Sequence, residues 1–298
     1  MSGTIKVAVL GVGALGQHHA RIYSELQKAG KIEFTGLYDA NAERASEISK
    51  QHDIPVLKSP EAVLYSAEAL SIVTPTTTHF ELASRALEAG LHVLVEKPMT
   101  EDASQATKLV QLAQDNNCVL QVGHVERFNP VFDYLQSVAT EPRFIETHRL
   151  SPYPKRSMDI GVVLDLMIHD LDIVLAFVDS PIKDVDGVGV PVLSESEDIA
   201  NARIKFENGC VANLTASRVS PERMRKIRVF SGGESTSYVS LDYQKQEGYI
   251  YRIAAEDAEK SSLWQKLLNA KDTAIVSEFA GKKVVREPVP IEKEEPLK

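Results

Sequence analysis

Two cysteines, Cys118 and Cys210, are all that 298 residues contain, and neither belongs to a CxxC pair. So few thiols at that spacing encode neither a disulfide framework nor a cysteine zinc cluster, and they suit a reducing compartment. An uninterrupted apolar run is also missing. The most apolar stretch, 162–178, is cut by Asp165, His169, Asp170 and Asp172, which excludes a membrane span of about 20 apolar residues. The first residues, MSGTIKVAVLGVG, enter a strand directly and lack the basic flank, apolar stretch and small-residue cleavage site of a secretory signal. Basic charge is in deficit: 33 Lys and Arg stand against 42 Asp and Glu, a net charge of −9. That sign repels phosphate backbones and anionic lipid, so neither nucleic acid nor a membrane is expected as a partner. A cytoplasmic location is the expectation.

What is present is an ordinary folded composition, 43% hydrophobic and 25% charged, over a length that suits about two domains. The first half alternates short runs rich in β-branched residues with helical patterns. Strands are predicted at 5–10, 33–38, 69–73, 92–96 and 119–123, with helices at 14–28, 42–52, 79–88 and 102–116 between them. Such alternation is the sequence form of βαβ units and a parallel, doubly wound sheet. After Asn129 and Pro130 the pattern changes. One strong helix over 162–178 precedes strand-like runs at 200–206, 210–217, 226–231 and 238–243 without helices between them, as in an α+β domain with a mostly antiparallel sheet. The expected division is a dinucleotide-binding domain over 1–124 and a substrate-binding and oligomerisation domain over 125–298. The last stretch, 286–298, is rich in Glu, Lys and Pro and reads as solvated.

The first strand runs into Gly11-Val12-Gly13-Ala14-Leu15-Gly16, which fits G-x-G-x-x-G between a strand and a helix. Gly11 permits the tight turn, Gly13 lets a pyrophosphate approach the backbone, and Gly16 lets helix pack on strand, with the phosphates at the helix N-terminus. Asp39, 23 residues past Gly16 at the end of the second strand, suits the two ribose hydroxyls of an adenosine and repels a 2′-phosphate. The combination points to NAD rather than NADP. Arg44, on the following helix, reads as a solvated surface charge.

Ligands of open α/β sheets bind at the carboxyl ends of the strands, and two polar clusters fall there. One holds Thr74, Pro75, Thr76 and His79; the other holds Glu96, Lys97 and Pro98. A lysine at the end of a buried strand can be partly desolvated, which moves its pKa toward the range useful for proton transfer, although a strand-end lysine can equally reach into solvent. On the helix over 162–178, Asp165, His169 and Asp172 fall on one face within about 60°. A histidine held by a carboxylate is a common acid/base arrangement. A metal site and a satisfied core histidine remain competing readings; His18 and His19, being adjacent, point in different helical directions and add no metal ligand set.

GVGALG, the Glu96-Lys97-Pro98 triplet and the Asp165…His169 helix, in this order and spacing, resemble the glucose-fructose oxidoreductase/inositol dehydrogenase/MocA family over nearly the whole chain. The resemblance implies that Lys97, Asp165 and His169 surround the nicotinamide and the oxidised sugar carbon, with either Lys97 or His169 as principal base. Two further stretches, Gly123–Pro130 (GHVERFNP) and Asp165–Asp172 (DLMIHDLD), are similar to a branch that oxidises the 3-hydroxyl of UDP-N-acetylglucosamine ahead of a transaminase in lipid A biosynthesis. On this likeness His124, Arg127 and Asn129 join Lys97, Asp165 and His169 as substrate contacts. Arg127, Arg149, Lys155 and Arg156 form a basic group suited to a diphosphate, or simply to surface or interface charge. The alternation of Ala202, Ile204 and Phe206 with Arg203 and Lys205 suggests a sheet with one covered face. The family likeness implies that the open face pairs with another subunit in a dimer or tetramer. Family members usually continue past the position of Leu297 into a helix that packs on the first domain, and this sequence stops there. Another sugar or cyclitol dehydrogenase, or a non-catalytic NAD-binding regulatory protein, are the alternatives.

Overall fold

The computed structural model describes residues 3–153, 160–233, 236–253, 274–279 and 282–298. The chain divides into two compact units, residues 1–124 with 297–298, and residues 125–296.

In the first unit the elements follow as β1 (Ile5–Leu10), α1 (Gly16–Lys28), β2 (Ile32–Tyr38), α2 (Ala42–His52), α3 (Pro60–Ser66), β3 (Ala69–Ile72), α4 (His79–Glu88), β4 (His92–Val95), α5 (Ala103–Asp115) and β5 (Leu120–Val122). The strands form one parallel sheet in the order β2-β1-β3-β4-β5. Beyond β2 lies a single parallel bridge from Leu37 to Val56, closed by Leu37 N donating to the Pro55 carbonyl and Leu57 N to the Leu37 carbonyl. Counting that bridge as a strand gives the order 3-2-1-4-5-6, the dinucleotide-binding arrangement whose crevice opens where the winding reverses beside β1. Neither the bridge nor α3 is legible in the sequence pattern. Pro55 and the shortness of the 54–57 run hide the strand, and α3 has only two turns. Its start is set by Ser59, whose side chain accepts from Ala62 N, and by Pro60 in the first turn. The core lies on both faces of the sheet, with Ala8, Leu10, Leu70, Ile72, Val93 and Val95 in one cluster and Val7, Val9, Phe34 and Leu37 in another.

The second unit contains α6 (Pro130–Val138), β6 (Pro142–Leu150), a π-helical turn (Val163–Met167) leading into α7 (Ile168–Phe177), then β7 (Ile182–Val190), β8 (Ile199–Phe206), β9 (Val211–Ser217), β10 (Met224–Ser231), β11 (Ser237–Asp242), β12 (Glu247–Ile253), β13 (Ala274–Phe279) and β14 (Lys282–Pro288). Its sheet runs β13-β14-β12-β11-β10-β6-β9-β8-β7 and is antiparallel except where β6 meets β9. Helices α6 and α7 cover one face: Ile145, Ile204, Phe206, Leu214, Ile227 and Val229 pack with Val131, Leu135, Ile173 and Val174. On β8, Ile204 and Phe206 face this core while Arg203 and Lys205 are exposed. The result is an α/β chain, a parallel doubly wound sheet followed by an open, mostly antiparallel one.

Two expectations are corrected. The 286–298 tail is not simply solvated: Arg286 to Pro288 belong to β14, Val289 and Ile291 pack on the core, and Gln246 bonds both the amide and the carbonyl of Glu294. Its composition is polar, but period-two placement of a few apolar residues is enough to dock it. Its last two residues join the first unit, where Lys298 Nζ lies 2.9 Å from Glu25 Oε2. Helix α6 was also missed, since its nine residues offer few turns over which to see a period; Asn129 and Pro130 mark its start.

Candidate functional site

Gly11, with φ +86°, turns the chain out of β1, and a Cβ there would lie 2.5 Å from the Val73 carbonyl oxygen. A Cβ on Gly16 would lie 1.9 Å from the Gly11 carbonyl oxygen, so helix α1 starts against the loop only because the position is bare. At Gly13 a Cβ would meet nothing within 4 Å. Gly13, Ala14 and Leu15 are exposed at the mouth of α1, leaving open space where helix dipole and free amides favour a pyrophosphate. Asp39 is half-buried, with Oδ2 accepting from Val12 N at 2.7 Å and Oδ1 from Asn41 N at 2.8 Å. Each oxygen keeps a further lone pair for a ribose hydroxyl. Arg44 is not a free surface charge. Its Nε donates to the Val12 carbonyl at 3.0 Å and its other nitrogens reach Glu47 and Gln17, so it braces the loop against α2. The cradle fits a dinucleotide with unmodified ribose hydroxyls.

At the ends of β3 and β4 the polar clusters are held by one another. Thr74 is half-buried, Pro75 exposed and Thr76 buried, and Thr78 Oγ1 donates to Thr74 Oγ1 at 2.7 Å. His79 is 1% exposed, with ring nitrogens 2.9 Å from the carbonyl oxygens of Pro98 and Thr74. It therefore ties the two loops together and sits behind the ligand edge. Glu96 is buried and Lys97 half-buried, and the Lys97–Pro98 peptide is cis.

In the second unit, Asp165 lies within the π-helical turn and His169 in the first turn of α7, both half-buried. This stretch is not a regular α-helix. Instead Ile168 N bonds back to the Val163 carbonyl, an i→i+5 register that rotates Asp165 relative to His169 by less per residue. The π turn is anchored at its start: Val162 N donates to the Glu197 carbonyl at 2.9 Å, Val163 N to Glu197 Oε1 at 3.2 Å, and Arg218 Nη1 to the Ile160 carbonyl at 2.7 Å. Arg218 is itself wholly buried against Asp198, whose carboxylate also collects the amides of Val192, Leu193 and Ser194. Burial opposes the charge on Asp198, but these donors outweigh it and hold the carboxyl below its ordinary range.

Asp172 does not extend the acid/base stripe, because Arg127 takes it in a bidentate pair, Nε to Oδ2 at 2.8 Å and Nη2 to Oδ1 at 2.6 Å. One residue further in, Arg149 is buried between Asp170 Oδ1 at 2.8 Å and Glu126 Oε1 at 3.1 Å. Burial works against its charge, yet the two carboxylates prevail and keep the guanidinium above its ordinary pKa. Arg149 is thereby removed from any anion site. Asn129 leaves the set of substrate contacts for a similar reason. It is 2% exposed, its Oδ1 accepts from Val131 N as the cap of α6, and its Nδ2 donates to Glu126 and the Tyr243 carbonyl. His124 is half-buried, and Lys155 and Arg156 lie outside the described residues. GHVERFNP and DLMIHDLD are thus joined by Arg127–Asp172 and Glu126–Arg149–Asp170, which pin the helix just beyond His169. The sequence did carry a trace of Arg149, since it falls on the inward phase of β6 with Ile145 and Thr147. Its partners, 23 and 21 residues away, were not visible.

A switch-point crevice, a bare glycine cradle and a half-buried aspartate at the end of β2 fit an NAD-binding protein of the doubly wound class. The chain belongs to the GFO/IDH/MocA family: residues 5–124 match its model for an oxidoreductase family NAD-binding Rossmann fold, and residues 135–235 match the GFO/IDH/MocA C-terminal domain. UDP-N-acetylglucosamine 3-dehydrogenase of Acidithiobacillus ferrooxidans is 40% identical over 252 residues, covering 84% of this chain and 78% of that one. A solved structure of that enzyme matches with a TM-score of 0.84 at 37% identity, over 99% of this chain and 85% of the other. The NAD-dependent scyllo-inositol 2-dehydrogenase of Bacillus subtilis is 28% identical over 74% of this chain and 69% of its own. This protein is accordingly an NAD-dependent oxidoreductase of a family acting on sugar hydroxyls. No helix among the described residues is long and apolar enough to cross a membrane.

Proposed function

We propose that this dehydrogenase oxidises the 3-hydroxyl of UDP-N-acetylglucosamine. The observation that carries the reading is the 40% identity to an enzyme of that activity across both units, against 28% to an inositol dehydrogenase. The two stretches resembling that branch are also the ones joined just beyond His169 by Arg127–Asp172 and Glu126–Arg149–Asp170, which gives them a shared structural reason. NAD supplies the hydride acceptor, at C4 of its nicotinamide. Gly11, Gly13 and Gly16 with Ala14 and Leu15 hold the pyrophosphate, Asp39 accepts the ribose hydroxyls, and Thr74, Pro75, Thr76 and Glu96 line the path toward the reactive end. Lys97 or His169 takes the hydroxyl proton, with Asp165 orienting the imidazole; His124, Arg127, Lys155 and Arg156 serve the sugar nucleotide. The product is a ketone, which suits a following transamination step.

The partner we propose is a second copy of this chain on the open sheet face, where β7 leaves Val188 and Val190 exposed opposite Asn201 and Ile199. A strictly monomeric mass at micromolar concentration overturns that part. The activity is tested by following NADH absorbance over a panel of UDP-sugars, free hexoses and inositols. Turnover of UDP-N-acetylglucosamine with a C3 ketone product supports the reading, and turnover of an inositol or free sugar alone overturns it.

A further inference from the structure

We propose that His19 and Glu96 form a positioning pair that sets the backbone at Lys97, coupling the first turns of the dinucleotide helix to the proton-transfer lysine. The proposal rests on the reading of Lys97 given above. His19 and Glu96 are 3% and 4% exposed, and His19 Nε2 lies 3.0 Å from Glu96 Oε1. Removing a carboxylate and an imidazole from water is costly unless they are paired, so each fixes the other. The second carboxylate oxygen, Oε2, accepts the amide N–H of Lys97 at 3.2 Å. The amide of Glu96 itself donates to the Ile72 carbonyl at 2.9 Å, in register with β3. The carboxylate therefore bridges a ring on α1 and the peptide of the residue that carries the chemistry.

Gly123 is an independent sign that this carboxylate must stand where it does. A Cβ there would come within 2.7 Å of the Cδ and both oxygens of Glu96. Gly123 is not among the positive-φ glycines, so its backbone does not demand a glycine and the space taken by the carboxylate does. His19 lies three residues beyond Gly16, on the buried face of α1 with Ala20 and Ile22. The helix that offers its N-terminus to the pyrophosphate thus also holds, through one side chain, the end of β4. Position at a reacting centre is sensitive: a displacement of about 1 Å can lower a rate by about 10²-fold.

The test uses the full chain with NAD and whichever sugar substrate the panel identifies. Saturating turnover, substrate KM and NAD affinity are measured separately on His19→Ala, His19→Gln, Gly123→Ala and Lys97→Met, with His19→Ala also placed in the Lys97→Met background. The expected result is a fall in kcat of about 10- to 100-fold for His19→Ala and Gly123→Ala with NAD affinity within about threefold. His19→Gln, whose amide can still donate to Glu96, recovers most of the loss. The deciding readout is the double variant: if His19 acts through Lys97, its loss costs nothing further once the lysine is gone. A penalty that simply adds in the double variant, or unchanged kcat in folded His19→Ala and Gly123→Ala while Lys97→Met is inactive, overturns the positioning role alone. Full activity of Lys97→Met overturns the reading of the lysine itself. If His19→Ala does not fold, Gly123→Ala decides, because its Cβ perturbs the same carboxylate without touching His19 itself.

Discussion

The two units organise their ligand-facing residues by opposite means. In the first, the cradle is made by what is missing: bare positions at Gly11, Gly13 and Gly16, with Asp39 tied to amides two residues ahead of it and across the β1 loop. In the second, the helix bearing Asp165 and His169 is fixed by charges brought from far along the chain, Arg127 on Asp172, Arg149 between Asp170 and Glu126, and Arg218 on Asp198. Backbone geometry suffices where the ligand is a pyrophosphate that wants N–H groups and a helix dipole. Holding the helix that bears Asp165 and His169, with its π turn, takes paired charges, of which Arg149 and Arg218 are buried with their partners. Perturbing the glycine cradle of the first unit should therefore change cofactor binding, and perturbing the charges that hold the helix of the second should change stability or turnover.

The largest expected effect lies at the proposed chemistry. Lys97→Met and His169→Gln should each lower turnover by roughly two to four orders of magnitude while NAD affinity barely changes, read by single-turnover hydride transfer and cofactor titration on the same samples. Next, Arg149→Met strands Glu126 and Asp170 as buried carboxylates and should cost about 3–5 kcal/mol of stability. Urea unfolding would show it, and an unchanged midpoint would mean that the pair is not held as described.

The glycine cradle should split into two behaviours. Gly16→Ala, whose Cβ would collide with the Gly11 carbonyl, should lower both stability and NAD affinity. Gly13→Ala, with nothing near its Cβ, should leave the melting temperature unchanged and weaken NAD about tenfold or more by filling the space of the pyrophosphate. Equal behaviour of the two variants would remove the distinction between packing glycine and ligand glycine. The smallest effect concerns cofactor choice: Asp39→Ala should narrow the preference for NAD over NADP, measured as the ratio of dissociation constants. A parent protein that binds both equally would count against the role of Asp39.

Much of the first unit was legible because its determinants are local. A strand, a glycine turn, a helix and an aspartate 23 residues on lie within one βαβ unit, so their spacing carries their geometry. The exceptions follow the same logic: the Val56 bridge is a single residue of pairing, and Arg44 looked solvated because its acceptor, the Val12 carbonyl, belongs to a different element. His19 carried a faint signal, a polar residue on the buried face of α1, yet nothing local names Glu96, 77 residues away, as its partner.

The sequence by itself determined the parallel sheet followed by an open, mostly antiparallel one, the strand, glycine turn and helix of the first βαβ unit, the acid at the end of β2 and the residue types proposed for the chemistry, since periodicity and motif spacing are properties of neighbouring residues. Only the tertiary structure decided which charges are spent on the fold. In a linear reading Arg149 and Asn129 look like ligand contacts and Asp172 looks like part of the face shared by Asp165 and His169; all three are internal partners in the folded chain. It likewise decided that a π turn separates Asp165 from His169, and that Glu96 faces His19 and the Lys97 amide. A buried polar group must find its partner wherever folding brings one within about 3 Å, and that distance is set by the packing of elements remote in sequence.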